Sequence, residues 1–294
     1  MAIPRVFFVT GKGGTGKSTV AAALAVALAR RRPTTLADLD RRLSAAKMLG
    51  AAPADSTPVH VMDSLDVIAL TTRAEVEAFI ERIVPVRAIS RRLLRSRTFG
   101  YVTAALPGLE AFLLLERLRM LAGDAALQDR YVVIDAPASG TAIELLSVPA
   151  GVKGIAPAGS LNRLADQVEA FLSDPARFGA IVTVSPEELA IKEAIETAEA
   201  IRERAKAPVI AAIMNCAPAA LFEAHEIDAV GHLGAHGTLA KKRGTAEKNA
   251  AHGAHRLEKA GLKTITLPMI YTETIGMGEL GRLARALETE LLAR

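Results

Sequence analysis

The chain has 294 residues, of which 50% are apolar, and a formal net charge of +4. This length allows one large domain or two smaller ones, and so mild a charge does not argue for nucleic acid as a partner. The single cysteine, Cys216, excludes an internal disulfide and a four-cysteine zinc site, and no apolar run reaches the ~18 residues of a membrane span.

The N-terminal residues MAIPRVFFVT predict a first strand rather than a signal peptide, so we expect a cytoplasmic protein. Short apolar or β-branched runs then recur between helical patterns. The predicted strands are 5–10, 34–40, 65–70, 131–137, 179–185, 208–215 and 262–268, and the clearest helices are 17–31, 187–206 and 276–292. This alternation predicts an α/β fold with a doubly wound parallel sheet, as in P-loop NTPases.

Two segments depart from the alternation of strand and helix. Residues 73–126 are almost entirely helical in their apolar spacing, and residues 217–260 favour helix but are rich in Gly, His and Lys. We expect both to form an inserted α-helical lobe at one edge of the sheet. No internal repeat or low-complexity linker divides the chain, so residues 1–294 are predicted to form a single domain.

A phosphate-binding loop follows the first strand and opens the first helix. Residues 11–18 read GKGGTGKS, and this strand–loop–helix context is the one in which glycines let backbone N–H groups approach phosphates. Lys17 is predicted to reach the β- and γ-phosphates of ATP, and Ser18 to bind Mg²⁺. The residues predicted to hold the nucleotide here are Gly11, Lys12, Gly13, Gly14, Thr15, Gly16, Lys17, Ser18 and Thr19.

Acidic residues end two of the predicted strands, where phosphoryl transfer needs them. Asp135 ends the apolar run YVVID, the usual arrangement of a carboxylate that faces the metal ion. Asp40 closes the strand LADLD, with Asp38 two residues earlier, and either could orient the attacking water. The predicted metal-facing set is therefore Ser18, Asp40 and Asp135.

The loop carries a second lysine, Lys12, at its front. The sequence GKGGTGKST resembles the deviant Walker A motif of the MinD, ParA and nitrogenase iron protein class of ATPases. That resemblance implies that Lys12 crosses a dimer interface and acts on the nucleotide of the other subunit. A cation delivered in this way would stabilise charge on the transferred phosphoryl group, as an arginine finger does.

Later segments resemble the ArsA and tail-anchored-protein-targeting ATPases. The similar segments are VIDAPASGTAIELLSVP, TVSPEELAIKEAIETAEAI, AALPGLEAFLLLERLRMLA and ITLPMIYTETIGMGELGRLARAL. The resemblance implies that Asp40 positions water in switch I, that Asp135 belongs to switch II and that Asn215, at the end of AIMN, reads adenine. The catalytic set that follows is Lys12, Asp40 and Asp135.

Three departures from that family stand out in the sequence. Switch I commonly reads Asp-Pro-Ala-His, whereas this chain has Asp40-Arg41-Arg42-Leu43. The zinc-binding cysteine pair of the eukaryotic targeting factors is absent. One cysteine also cannot supply the thiolate site of an arsenite pump, which disfavours arsenite as cargo.

Two residue clusters leave their roles open. The apolar set Leu113, Leu114, Leu115, Leu118, Met120 and Leu121 fits either a groove for a hydrophobic client helix or the packed core. Five histidines fall in residues 225–255. Glycines interrupt this segment, so we expect it to form a mobile lid rather than a zinc or nickel site.

Taken with the resemblance, these features predict a homodimeric or paralogue-paired ATP-hydrolysing switch. ATP binding and hydrolysis would control capture and release of a hydrophobic membrane-protein segment, and such a protein could contact the membrane peripherally. The alternatives are a regulatory or surface-partitioning ATPase of the MinD/ParA kind, an energising subunit of an anion transporter, or an ATP-dependent ligase or phosphotransferase.

Overall fold

A computed structural model of the chain describes residues 3–40, 42–54, 56–71, 108–123, 130–155, 158–219, 221, 223–230 and 232–292. Its centre is a sheet of eight strands: β1 Val6–Gly11, β2 Thr34–Asp38, β3 Val59–Met62, β4 Leu65–Ala69, β5 Tyr131–Ala138, β6 Phe178–Val184, β7 Val209–Ala217 and β8 Thr264–Pro268. Their spatial order is β3-β4-β2-β5-β1-β6-β7-β8. Every neighbouring pair is parallel except β3 with β4.

The predicted α/β fold with a parallel sheet is confirmed, and the predicted strands agree with the observed ones to within two residues at each end. The agreement follows from burial, because β1, β2 and β6 are buried at every position. A strand covered on both faces reads as a continuous apolar run. The sequence did not reveal β3, whose four residues are partly or fully exposed and lack that signal.

Helices cover both faces of the sheet. Within the described residues they are α1 Lys17–Ala29, α2 Ser44–Met48, α3 Leu109–Gly123, α4 Ser139–Ile155, α5 Ser160–Ser173, α6 Glu188–Arg204, α7 Ala224–Val230, α8 Gly234–Lys259 and α9 Met277–Glu290. One apolar core joins the sheet to α1, α2 and α9. The other joins the opposite face to α3, α4, α5, α6 and α8.

The closing helix α9 packs against α1 at the centre of the first layer. Leu280, Leu283 and Leu287 on α9 are buried, and every α1 position from Thr19 to Ala29 is buried as well. The apolar face of α9 is therefore occupied by contacts within this chain.

The leucines of α3 belong to the core. Leu115 and Leu118 are 0% and 1% exposed, and Leu113, Leu114 and Leu121 are also buried. Helix α3 packs against α4, α5 and β5. The structure therefore decides between the two roles left open for this helix in favour of core packing.

We expect Leu118→Asp to lower the melting temperature severely or to make the protein insoluble. A buried carboxylate without a partner costs several kcal/mol, comparable with the roughly 5–15 kcal/mol that stabilise a whole domain. Thermal unfolding measures the effect. Leu239→Asp on α8 makes the same substitution at a position that is 64% exposed and serves as the control. A Leu118→Asp protein that melts like the control would contradict the core assignment.

Most of the segment expected to be a mobile lid, residues 225–255, lies instead in the helices α7 and α8. Helix α8 runs from Gly234 to Lys259 through its internal glycines. A side chain at Gly244 would overlap with Ile227, and one at Gly253 would overlap with Ile191. These glycines therefore allow close packing of α8 against α7 and α6, rather than interrupting it.

The described parts of the two segments predicted as one helical lobe lie over different strands. Helix α3 packs near β5, whereas α8 packs against β7, β8 and α6. Most of the first segment, residues 72–107, lies outside the described residues. The inserted lobe accordingly stays a prediction.

Candidate functional site

The glycine-rich loop lies at the carboxyl end of the central strand β1 and leads directly into α1. Gly14 and Gly16 have φ angles of +87° and +82°, in the left-handed region that favours glycine. Gly16 is the N-cap of α1, so the unpaired N–H groups of the first helical turn face the space above the loop. This backbone geometry suits a phosphate group.

Buried threonine hydroxyls fix the loop to the neighbouring strands. The hydroxyl oxygens of Thr15 and Thr183 lie 2.7 Å apart, and Thr183 Oγ1 donates to the Thr10 carbonyl at 3.1 Å. Thr10 Oγ1 in turn donates to the Pro137 carbonyl at 2.8 Å. Sequence reasoning missed Thr10 and Thr183, although threonines at the ends of strands beside a phosphate loop are a usable signal.

Asn215, near the end of β7, holds the phosphate loop in place through a hydrogen bond. Its Nδ2 donates to the Thr15 carbonyl at 3.2 Å, and the side chain is buried. A side chain at Gly16 would overlap with this amide, so glycine is required where the two approach. The predicted role of Asn215 in reading adenine stays a prediction, and loop support is a contact that the sequence did not reveal.

Asp135 is a carboxylate buried at the end of the central part of the sheet, in β5. It is 1% exposed, and neither of its oxygens has a hydrogen-bond partner among the described residues. Burial, reinforced by the charges of Asp38 and Asp40, raises the pKa of Asp135 to about 7, against the opposing effects of Ser18 and Lys17. A buried acid with unpaired oxygens is suited to a divalent cation, whose preferred ligands are oxygens.

The other two acids lie at the end of β2 and in the turn that follows it. Asp38 lies opposite Asp135 in the register of β2 and β5. Its carboxylate accepts hydrogen bonds from Asp40 N at 3.0 Å and Ala46 N at 3.1 Å. Burial raises the pKa of Asp38, and these backbone hydrogen bonds oppose the shift. The structure therefore gives Asp38 a positioning role in the turn that carries Asp40.

Asp40 is only partly buried and lies in the turn after β2. Its carboxylate accepts from Arg42 N at 3.2 Å and from the Ser44 hydroxyl at 3.1 Å. Its charge acts on Asp135, which places both acids in one cluster with Ser18 and Lys17. The sequence predicted this grouping, because the carboxyl ends of parallel strands share one edge of the sheet.

The two lysines of the loop have different surroundings. Lys17 Nζ donates to the Lys12 carbonyl at 3.3 Å, within the loop. Lys12 is half exposed, and its Nζ lies 2.6 Å from Glu193 Oε1 on α6. The Lys12 side chain is therefore held at the protein surface, and the other Glu193 oxygen is buried without a partner among the described residues.

Thr19, the last of the residues predicted to hold the nucleotide, is buried, and its hydroxyl lies 3.7 Å from the Met48 sulfur on α2. This contact joins the start of α1 to the helix that follows switch I. Gly13 has open space around its α-carbon, as a residue facing a ligand would.

An apolar cavity of about 530 Å³ lies beside both acidic segments. Its walls include Leu39, next to Asp40, and Pro137, shortly after Asp135. The other lining residues are Leu70, Thr71, Gly108, Ala111, Leu114, Thr141, Glu144, Leu145 and Val148. The cavity therefore adjoins the segments that carry Asp40 and Asp135.

The described residues contain no group of three or more His, Cys, Asp or Glu side chains placed to hold a metal ion. The described histidines of α7 and α8 therefore form no such group either. Across the same part of the chain, no helix combines the length and the apolar character needed to cross a membrane.

Comparison with known proteins agrees with the geometry of the loop. The family described as Anion-transporting ATPase matches residues 4–214. The ATPase BagA of Mycobacterium tuberculosis is 26% identical over 222 residues, which cover 72% of this chain and 64% of BagA. A Mycobacterium bovis protein that is also named as an ATPase gives the same identity and coverage. The match thus spans less than two thirds of the length of these relatives.

Proposed function

Because the chain belongs to the anion-transporting ATPase family, we propose that it hydrolyses ATP as a homodimeric switch controlling an apolar binding site. The observation that carries the proposal is the pair of lysines in one phosphate loop. Lys17 lies within the loop, whereas Lys12 is held outward by Glu193. A second cation in that position is available to another subunit.

Each step of ATP hydrolysis has a residue of this chain suited to it. The loop backbone and Lys17 bind the phosphates, and Asp40 orients the water that attacks the γ-phosphate. Lys12 of the second subunit stabilises the charge on the transferred group. To reach it, Lys12 leaves Glu193, and a half-exposed ion pair of this kind contributes only roughly 0–1 kcal/mol.

The site fits Mg²⁺. Asp135 offers two buried carboxylate oxygens that lack hydrogen bonds within the described residues, and Ser18 lies beside it. Asp135 and Ser18 would hold the ion, with Asp40 in the same cluster. When bound, Mg²⁺ neutralises charge on the β- and γ-phosphates.

The apolar cavity supports a hydrophobic protein segment as the cargo. Leu39 connects its wall to Asp40, and Pro137 connects it to Asp135, so the nucleotide state acts on the cavity through both switches. Its volume of about 530 Å³ suits several apolar side chains of a helix. The resemblance to the tail-anchored-protein-targeting ATPases points to the same class of ligand.

The alternatives have weaker support. A MinD-like membrane helix at the C-terminus would need an exposed apolar face, but Leu280, Leu283 and Leu287 of α9 pack against α1. An anion such as arsenite would need a cluster of soft ligands. The chain has only Cys216, and no metal-type cluster occurs among the described residues.

The proposal predicts that Ala111→Asp, in the cavity wall, abolishes binding of an apolar helical peptide and leaves ATP hydrolysis near normal. Ala111 is partly exposed, so the acid meets solvent and folding is preserved, while an apolar ligand would lose at least about tenfold in affinity. Fluorescence anisotropy with a labelled peptide measures binding, with and without Mg-ATP.

Leu239→Asp adds the same charge at an exposed site outside the cavity and serves as the control. Peptide binding that is equal in both variants would remove the cavity as the cargo site. A peptide affinity that is the same with and without Mg-ATP would contradict control of the cavity by the nucleotide.

A further inference from the structure

Two loops adjoin Asn215 on the side of the site away from the acids. The first loop follows β7 and includes Ala219 and Leu221, and the second loop follows β8 and includes Met269 and Tyr271. Ala217 pairs with Pro268 in the sheet, and Met269 N donates to the Ala217 carbonyl at 2.9 Å, two residues after Asn215. Since Asn215 also contacts the phosphate loop, these two loops lie where a base attached to loop-bound phosphates would extend.

The second loop presents unusual apolar surface. Met269 is 45% exposed and Tyr271 is 73% exposed, and both follow β8, a strand in which only alternate positions are buried. Flat aromatic and thioether side chains at a site edge suit the face of a purine, because bases stack favourably on aromatic rings and sulfur is polarisable. The phosphate loop, residues 11–18, has no aromatic or thioether side chain to offer a base.

One arginine of α8 ties both loops together. Arg243 Nη2 donates to the Ala219 carbonyl at 2.6 Å in the first loop, and its Nη1 donates to the Tyr271 hydroxyl at 2.8 Å in the second. Its Nε donates to Glu247 Oε1 at 3.0 Å, one turn along the helix. A planar guanidinium with several fixed donors is the side chain suited to bridging three partners.

Glu247 completes the connection. Its Oε1 also accepts a hydrogen bond from Leu221 N at 3.2 Å, so the first loop is held at two points. The side chains of Arg243 and Glu247 are only 18% and 13% exposed. The pair therefore forms a bridge, mostly covered by neighbouring residues, between α8 and both loops.

We propose that Arg243 is a positioning residue for the base of the bound nucleotide. Through Ala219, Tyr271 and Glu247 it fixes the two loops that form the base-side wall, and Tyr271 offers its ring to the base. The inference rests on the proposed ATPase function. It adds that affinity for the base, as distinct from affinity for the phosphates, depends on a residue of α8 far along the chain from any nucleotide motif.

The test compares two ligands in displacement of a fluorescent ATP analogue, one with the base and one without it. Arg243→Met keeps much of the aliphatic volume but removes every hydrogen bond. We expect it to weaken ATP binding about tenfold, because the base wall is no longer preorganised. Affinity for inorganic tripolyphosphate should stay within about twofold, since the phosphate loop is untouched.

Further variants separate positioning from general damage. Arg243→Lys should recover part of the ATP affinity, and Tyr271→Phe, which keeps the ring, should lose less than Arg243→Met. Lys242→Ala removes a neighbouring exposed cation and should bind both ligands like the wild type. Melting temperatures report the folding of each variant.

Two results would overturn this inference without affecting the proposed function. They are wild-type ATP affinity in Arg243→Met, or equal losses of affinity for ATP and for tripolyphosphate. The second would show that the bridge acts on the whole site. A wild-type protein that binds neither ATP nor tripolyphosphate would instead overturn the proposed function and, with it, this inference.

Discussion

Replacing Lys17 with alanine is expected to remove nucleotide binding. Lys17 lies inside the loop, where its Nζ contacts the Lys12 carbonyl and its charge acts on Asp135. Charge-assisted hydrogen bonds to phosphate oxygens contribute roughly 1.5–3 kcal/mol each, so loss of contacts to two phosphates corresponds to about a hundredfold or more in affinity.

Titration with a fluorescent ATP analogue measures the loss. Lys192→Ala is the matched control, because it deletes a lysine of α6 that is 66% exposed and lies outside the loop. The control should bind like the wild type. If Lys17→Ala binds equally well, the assignment of residues 11–18 as the phosphate site is wrong.

Replacing Lys12 with alanine is expected to leave ATP binding largely intact and to lower turnover about a thousandfold. The side chain points to Glu193 rather than into its own loop, so ground-state binding in the same subunit depends little on it. A cation supplied by a second subunit typically contributes about a thousandfold or more to phosphoryl transfer. Steady-state hydrolysis and equilibrium titration, measured on the same samples, separate the two effects.

Mixed dimers test whether the lysine acts across the interface. When Lys12→Ala subunits pair with Asp40→Asn subunits, one site carries both lesions. The other site keeps its own Asp40 and receives an intact Lys12, so activity should partly return. If Lys12 acted within its own subunit, both sites would be defective. Absence of recovery in demonstrated heterodimers would therefore exclude the exchange.

The nucleotide half of the site was the most readable part of the sequence. The spacing of residues 11–18 and the acid at the end of an apolar strand depend on local backbone geometry, which neighbouring residues specify. The placement of Asp40 with Asp135 also followed from sequence, since parallel strands end at one edge. The sequence did not show that Asp38 positions the turn that carries Asp40, because this role depends on which backbone N–H groups each carboxylate accepts hydrogen bonds from.

Roles that depend on distant partners were less readable. The apolar spacing of α3 fitted both a groove and a core, and only the packing of Leu115 and Leu118 against α4, α5 and the sheet distinguished them. The glycines of α8 suggested a flexible lid. The neighbouring side chains Ile227 and Ile191 show instead that small residues were needed for close packing.

By itself, the sequence determined the alternating α/β fold, the phosphate loop and the acids at the strand ends. These features follow from strand burial, glycine conformation and strand polarity, all of which are set by residues close together in the chain. Only the tertiary structure decided that Lys12 meets Glu193, that Asn215 holds Thr15 and that Arg243 joins two loops. Lys12 and Glu193 lie 181 positions apart in sequence. No local pattern specifies such a pairing, because it exists only once the strands are ordered in the sheet.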